Sequence, residues 1–427
     1  MNLKIKKTQR LNGTATIPAS KSHTIRAVVI ASLAGGESKI INPLDSLDTM
    51  AAVNACRNLG AEIYKEKNCW TVIGFDKYPK NPQKTLDLQN SGTSFNLICG
   101  VSCLGNFEVT LDGDESLRSR PVEPLLVALR NLGAYAISIN NNGKPPVKVK
   151  GPLSGGKTTV SGINSQFVSS LLISTPLAPD DTEITVINLC EEPYVRMTLM
   201  WLDEQKILYN KTKDLTYFYI SGNQRYHPFE KEIPGDWSSA TFPLVAGAMM
   251  DSEILIKGLD LNDVQGDKKV LEYLRNAGAS ITITEKGILI KKADLKGIEI
   301  DLNSTPDALP ALAVLGCVAE GTTKLYNVPQ ARIKETDRIK VMAQELSKMG
   351  ANIQEIEDGL IINKSMLKGT FVNGHKDHRV VMALTLAGLI AEGETIVSNA
   401  ECVSITFPEF FSIMKNLGAS IELEETE

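Results

Sequence analysis

Apolar and polar positions along the chain alternate between two regimes. Amphipathic stretches with a helical period run over Met50–Arg57, Val122–Arg130, Asp267–Arg275, Lys340–Lys348 and Phe407–Lys415. Each closes on a similar tail: Asn58-Leu59-Gly60-Ala61, Asn131-Leu132-Gly133-Ala134, Asn276-Ala277-Gly278-Ala279, Lys348-Met349-Gly350-Ala351 and Asn416-Leu417-Gly418-Ala419. Glycine in that place predicts the left-handed residue just past a helix. Alternating stretches such as Ser280-Ile281-Thr282-Ile283 follow and predict strands. Elsewhere the pattern is apolar without period, as in Ala27-Val28-Val29-Ile30, Phe95–Val101 and Ala308–Ala319, which suits helices buried on all sides.

The tails recur at intervals of about 70 residues, with one interval of twice that length, which marks a repeated supersecondary unit with one degenerate copy. The vacant slot falls near Glu204-Gln205-Lys206, after the helical pattern Arg196–Leu202 and before the strand pattern Tyr217–Ile220. Six units result, each reading strand, helix, strand, helix and further strand. The predicted class is α/β (α+β) with two similar domains of three units. His227, Pro228 and Pro234 interrupt the pattern at Tyr226–Gly235, and Gly13–Ile17 runs into Pro18, so the chain should cross between halves twice. That divides it into residues 15–231, and residues 1–14 with 232–427.

Composition then excludes several roles. A formal net charge of -5 argues against a nucleic-acid partner, because a phosphate backbone requires a basic face. The apolar run Ala308–Ala319 contains Pro310 and is shorter than the roughly 20 residues a membrane span needs. Seven Cys without a C-x-x-C pair fit a reducing, cytoplasmic setting. Four His, no H-E-x-x-H, and Cys99 and Cys103 without companion ligands predict no metal. His378, close to His375, reads as a loop anchor. The run Gly151–Thr158 matches a phosphate loop literally, but a β-branched stretch broken by Gly162 follows where a helix is needed. A serine triad lacks G-x-S-x-G.

Basic residues remain, set at helix starts: Lys21-Ser22 with Arg26, Arg118 with Arg120, Lys334 to Arg338, and Lys376 with Arg379. Ser20-Lys21-Ser22, Asn90-Ser91-Gly92-Thr93 and Asp236-Trp237-Ser238-Ser239 each open an apolar helix. Several helix N-termini beside local cations would concentrate positive potential for an anion in an acidic protein. In an empty site these like charges should repel and favour an open form.

These residues, with Leu111-Asp112-Gly113-Asp114, Ser165-Gln166-Phe167, Pro193-Tyr194, Pro306-Asp307-Ala308, Asp377-His378-Arg379 and Phe407-Pro408, resemble the enolpyruvyl transferase family over essentially the whole chain. The resemblance implies an inside-out α/β barrel in each of two domains of three βαβαββ units, joined by a double-crossover hinge. It implies transfer of the enolpyruvyl group of phosphoenolpyruvate to the 5-hydroxyl of shikimate 3-phosphate, without metal or cofactor, by a monomer. Carried over position by position, it assigns shikimate 3-phosphate to Lys21, Ser22, Arg26, Asn164, Ser165, Gln166, Asp307, Gln330 and Lys334. Phosphoenolpyruvate falls to Lys21, Gly92, Arg120, Gln166, Arg338 and Arg379, and proton transfer to Lys21, Asp307 and Glu335. Asn96, Asn164, Glu191 and Ile405 depart from the usual Arg, Ser, Ser and Lys. A carboxylate at Glu191 should turn away from a bound phosphate or be neutralised by a cation. The departures leave open another acceptor alcohol, or an inactive paralogue that binds phosphorylated ligands.

Overall fold

Six helices end alike. They span Leu47–Asn58, Glu123–Asn131, Glu192–Glu204, Val270–Asn276, Arg338–Lys348 and Phe410–Asn416. Two residues beyond each, the backbone takes a positive φ, at Gly60, Gly133, Lys206, Gly278, Gly350 and Gly418. The next amide in every case reaches back to the fifth carbonyl before it, from Ala61 to Cys56, Ala134 to Leu129, Ile207 to Leu202, Ala279 to Leu274, Ala351 to Leu346 and Ala419 to Met414. This closure satisfies a carbonyl that the helix end leaves over. The degenerate sixth copy is therefore present, with Lys206 at φ 59 where the other five units have glycine. Two helices start later than the pattern suggests. Gly266–Lys269 is a tighter 3-10 turn ahead of Val270, and Pro408 holds back the start until Phe410.

The aperiodic apolar stretches form six further helices, Lys21–Leu33, Gly92–Ser102, Ser165–Ser174, Trp237–Met249, Leu309–Val318 and His378–Ile390, buried along nearly their whole lengths. With apolar surface all round, each is stable only inside a core.

The structure, a computed structural model describing residues 1–425, contains six four-stranded sheets with one topology. Leu86–Asp87 pairs parallel with Glu108–Asp112, which pairs antiparallel with Val147–Lys150, which pairs antiparallel with Tyr135–Ser138. The same order recurs in the other five. In two sheets the first, parallel strand is borrowed from a distant part of the chain. Arg10–Thr16 lies beside Asp251–Lys257, and Glu230–Glu232 beside Glu37–Ile41. In the last sheet Asn2–Lys6 sits antiparallel between Glu394–Ser398 and Ile421–Glu424, where other units use a hairpin strand.

Two compact units follow, Ala19–Pro234, and Met1–Pro18 with the chain from Gly235 onward. The borders fall a few residues later than the sequence pattern places them. Thr16 is still paired with Lys257 in the Arg10–Thr16 ladder, and Ile233 donates to the Ile41 carbonyl beyond the ladder of Glu230–Glu232.

Candidate active site

The buried helices position the site residues, because their N-termini carry the polar side chains singled out above. In the unit Ala19–Pro234, the Ser20 hydroxyl caps Lys21–Leu33 by accepting from the His23 amide at 3.4 Å. Lys21 Nζ lies 3.1 Å from Asp48 Oδ2. Arg26, one turn further, is 1% exposed and donates to the Ser22 carbonyl at 3.0 Å, the Tyr194 carbonyl at 3.2 Å and Thr198 Oγ1 at 2.9 Å. Burial pushes its pKa down to about 10, so it remains a cation at neutral pH. Arg26 thus braces the backbone at Ser22 and Tyr194.

On the helix Gly92–Ser102, Asn96 Nδ2 donates to the Gly92 carbonyl at 2.9 Å and to Gln166 Oε1 at 2.8 Å. The Gly92 carbonyl can only accept, which fixes the Asn96 amide and in turn that of Gln166, whose Nε2 donates to Thr93 Oγ1 at 3.1 Å. Arg120 Nη2 donates to Asn90 Oδ1 at 2.9 Å and Ser116 Oγ at 3.0 Å. A Cβ on Gly92 would stand 2.9 Å from Arg120 Nη1, so the missing side chain is what lets the guanidinium approach. Asn164 caps Ser165–Ser174 through the Gln166 amide at 3.0 Å. Ser165 donates to Glu191 Oε2 at 2.8 Å, and Glu191 is only 2% exposed. Glu191 therefore does not turn away from the residues assigned to the acceptor phosphate. Its left-handed backbone at φ 55, just ahead of Pro193, aims it at Ser165.

In the other unit, three carboxylates surround Arg338, whose side chain is fully buried. Its Nε donates to Asp377 Oδ2 at 2.8 Å, Nη1 to Asp307 Oδ1 at 2.7 Å, and Nη2 to Glu335. Asp377 also caps His378–Ile390, accepting from the Arg379 amide at 2.9 Å. Arg379 Nη2 lies 2.8 Å from Asp307 Oδ2 and donates to Ser238 Oγ at 2.8 Å. Asp307 thus bridges two guanidinium groups. Burial alone would raise its pKa, but the Arg379, Lys334 and Arg338 cations outweigh that and hold it well below the usual carboxylate range. Burial works against the Arg338 charge as well, and Asp377, Glu335 and Asp307 reverse it. Gln330 is 1% exposed, with its Nε2 on the Asn303 carbonyl at 2.8 Å.

Of the cations expected to repel one another, Lys21, Arg338 and Arg379 each face a carboxylate in their own unit, which offsets part of that repulsion. Asp48 and Asp377 supply two of those charges, and neither stood among the assigned site residues. Asp377 had a signal, its place in Asp-His-Arg at a helix start, whereas nothing near Asp48 in sequence points to Lys21. The Gly151–Thr158 run forms no phosphate loop, since Gly156–Ser161 is a strand paired with Thr182–Ile187. Among the described residues, no group of three or more His, Cys, Asp or Glu side chains is placed to hold a metal ion.

Paired carboxylates and guanidinium groups at the same helix starts can bind a planar oxyanion and move a proton beside it. The chain is similar to known proteins along nearly its full length. The model of the family EPSP synthase (3-phosphoshikimate 1-carboxyvinyltransferase) matches residues 5–414. A 3-phosphoshikimate 1-carboxyvinyltransferase of Acetivibrio thermocellus is 51% identical over 99% of both chains. One from Methanocaldococcus jannaschii is 44% identical over 98% of this chain and 99% of its own. A solved EPSP synthase from Acinetobacter baumannii superposes with a TM-score of 0.83 at 28% identity, covering 99% of this chain and 100% of that one. Matched in sequence and in fold along nearly its full length, the chain belongs to the EPSP synthase family.

Proposed function

We propose that the chain transfers the enolpyruvyl group of phosphoenolpyruvate to the 5-hydroxyl of shikimate 3-phosphate, a step toward chorismate and the aromatic amino acids. The observation that carries this is the cluster of Arg338 and Arg379 on Asp307, with Glu335 beside it. In the addition step the 5-hydroxyl oxygen bonds to C2 of phosphoenolpyruvate, loses its proton to a base, and C3 gains a proton from an acid. In the elimination step C3 gives up a proton and phosphate leaves C2, which restores the enol. Asp307, fixed between the Arg338 and Arg379 guanidinium groups, takes the role of the base. Glu335 suits the acid at C3, and Lys21 the proton exchange at the bridging oxygen. Arg120, Arg338, Arg379, Gly92 and Gln166 take the donor's carboxylate and phosphate. Ser22, Arg26, Asn164, Ser165, Gln330 and Lys334 serve the acceptor, with Arg26 acting through the backbone it braces. Seven free cysteines support a reducing compartment, and no helix among the described residues is long and apolar enough to cross a membrane. We take the working form to be a monomer in the cytoplasm, which light scattering and cell fractionation test.

Incubation with both substrates should release phosphate and give a product heavier than the acceptor by one enolpyruvyl group, seen by mass. Absence of turnover in a folded protein overturns the reading. Glu191 favours a second one, an acceptor alcohol without a phosphate beside Ser165, because the Ser165 hydroxyl proton is already given to a carboxylate. Glu191→Ser decides between them. For the first reading, affinity for shikimate 3-phosphate should change less than tenfold, about 1.4 kcal/mol. A far larger gain from a poorly active wild type selects the second.

A further inference from the structure

A buried carboxylate outside the chemistry stands out. Glu345 is 1% exposed and lies on the helix Arg338–Lys348, seven residues after Arg338 and so on the same face, two turns along. Both residues grip the short segment Asn373–Asp377. Arg338 holds its end through Asp377 at 2.8 Å. Glu345 holds its beginning, with Oε2 accepting from the Asn373 amide at 2.9 Å and Oε1 2.9 Å from His375 Nε2. Lys348 Nζ, half exposed, donates to both oxygens at 2.8 Å. Between the two grips the backbone is in a costly state. His375 has φ 51 and Lys376 φ 56, two consecutive non-glycine residues in the left-handed region. Such residues persist only where their surroundings over-determine them. Inside the turn, the Asn373 side chain accepts from the His375 amide at 2.7 Å, and the Asp377 amide donates to the Gly374 carbonyl at 2.9 Å. Directly after it come Asp377 and Arg379.

We infer that Glu345 is a positioning residue, which holds the left-handed turn at His375-Lys376 and thereby sets Asp377 and Arg379 for the anionic donor substrate. The donor part of this rests on the proposed function; the turn part does not. Two helical turns separate Glu345 from Arg338, so it acts through the turn without touching the substrate. Arg338 and Glu345 together make the helix a two-point clamp, whose spacing is fixed by helical geometry.

The test uses Glu345→Gln, which keeps shape and one acceptor but weakens the contacts to His375 and Lys348, and His375→Ala, which removes one contact at a half-buried ring. In both variants, amide hydrogen exchange should speed up at least fivefold over residues 373–380, with the rest of the unit unchanged. KM for phosphoenolpyruvate should rise about three- to tenfold, while KM for shikimate 3-phosphate and kcat stay within twofold. The effects of the two variants should add to less than their sum in the double variant, since both weaken the Glu345–His375 contact. Exchange that is unchanged at the turn, or faster evenly across the unit, overturns the inference. So does a KM rise shared equally by both substrates. A wild type without turnover counts against the proposed function alone, because the exchange measurement then still decides whether Glu345 holds the turn.

Discussion

At the residue scale, Arg338 shows what keeps a guanidinium charged at the proposed donor site. Its charge is desolvated, and a guanidinium survives there because three carboxylates meet its fork of donors. Lysine has one point of contact and would leave part of that set unanswered. Arg338→Lys should cost about 3 kcal/mol in denaturant unfolding and weaken phosphoenolpyruvate binding more than tenfold. An unchanged affinity would remove Arg338 from the donor site. Gly92→Ala places a methyl 2.9 Å from Arg120 Nη1, so the arginine must retreat. KM for phosphoenolpyruvate should then rise about tenfold, the loss of one charged contact of about 1.4 kcal/mol, with little change for the acceptor.

Acid should act on the same residues. The folded pKa of Asp307 is lowered relative to the unfolded chain, so its contribution is fully present above the unfolded carboxylate value near about 4. It is lost as pH falls through the folded value. Glu345 has the same sign: burial raises its pKa, but His375, Lys348 and the Asn373 amide outweigh that and lower it. Stability measured by urea unfolding should therefore be insensitive to these two groups between pH 5 and pH 8, on the scale of about 0.5 kcal/mol, and fall steadily below about pH 4. Stability that rises on acidification would contradict the assignment.

Helix ends supply the test at the scale of elements. Five units use glycine where the backbone is left-handed and the sixth uses Lys206. Lys206→Gly should stabilise the protein by about 0.5–1 kcal/mol, by removing the Cβ penalty of that conformation. Gly133→Ala runs the other way. Besides its φ of 93, a Cβ there would meet Ser154 Oγ at 2.6 Å, and a loss of about 1–2 kcal/mol is expected. Thermal unfolding of the two variants should move in opposite directions. The buried helices make a different use of their ends, since their N-termini carry Lys21, Gly92, Ser165, Ser238 and Arg379 on cores that cannot shift without cost.

Chain closure is a property of the whole molecule. Leu3 and Ile5 are fully buried on a strand with partners on both sides, although it begins the chain. Deleting residues 1–7 removes a central strand from a finished sheet. Losing the two side chains alone costs about 4–8 kcal/mol, comparable with the whole stability of a typical domain, about 5–15 kcal/mol. The truncated chain should lose the cooperative unfolding of the Met1–Pro18 and Gly235-onward unit. A truncated protein with unchanged melting would show that the strand is dispensable.

What the sequence by itself determined is the set of features written in local chemistry. The repeat is legible because a left-handed helix end favours glycine, and even the unit without one kept its helix and strand patterns around Lys206. The buried helices are legible because their apolar content has no exposed face to spare, and the proposed site residues are read from types and an order that resemble one family. Tertiary structure alone decided what lies far apart in the chain. It brought Asp48 to Lys21 and Asp307 to both Arg338 and Arg379, so three of the cations that read as a repelling set are paired. It inserted residues 2–6 between strands near the other end of the chain, and set Glu345 under a turn thirty residues on. Such pairings depend on long-range closure, which leaves no period in the sequence, and on burial, which turns an ordinary Asp or Glu into a fixed partner.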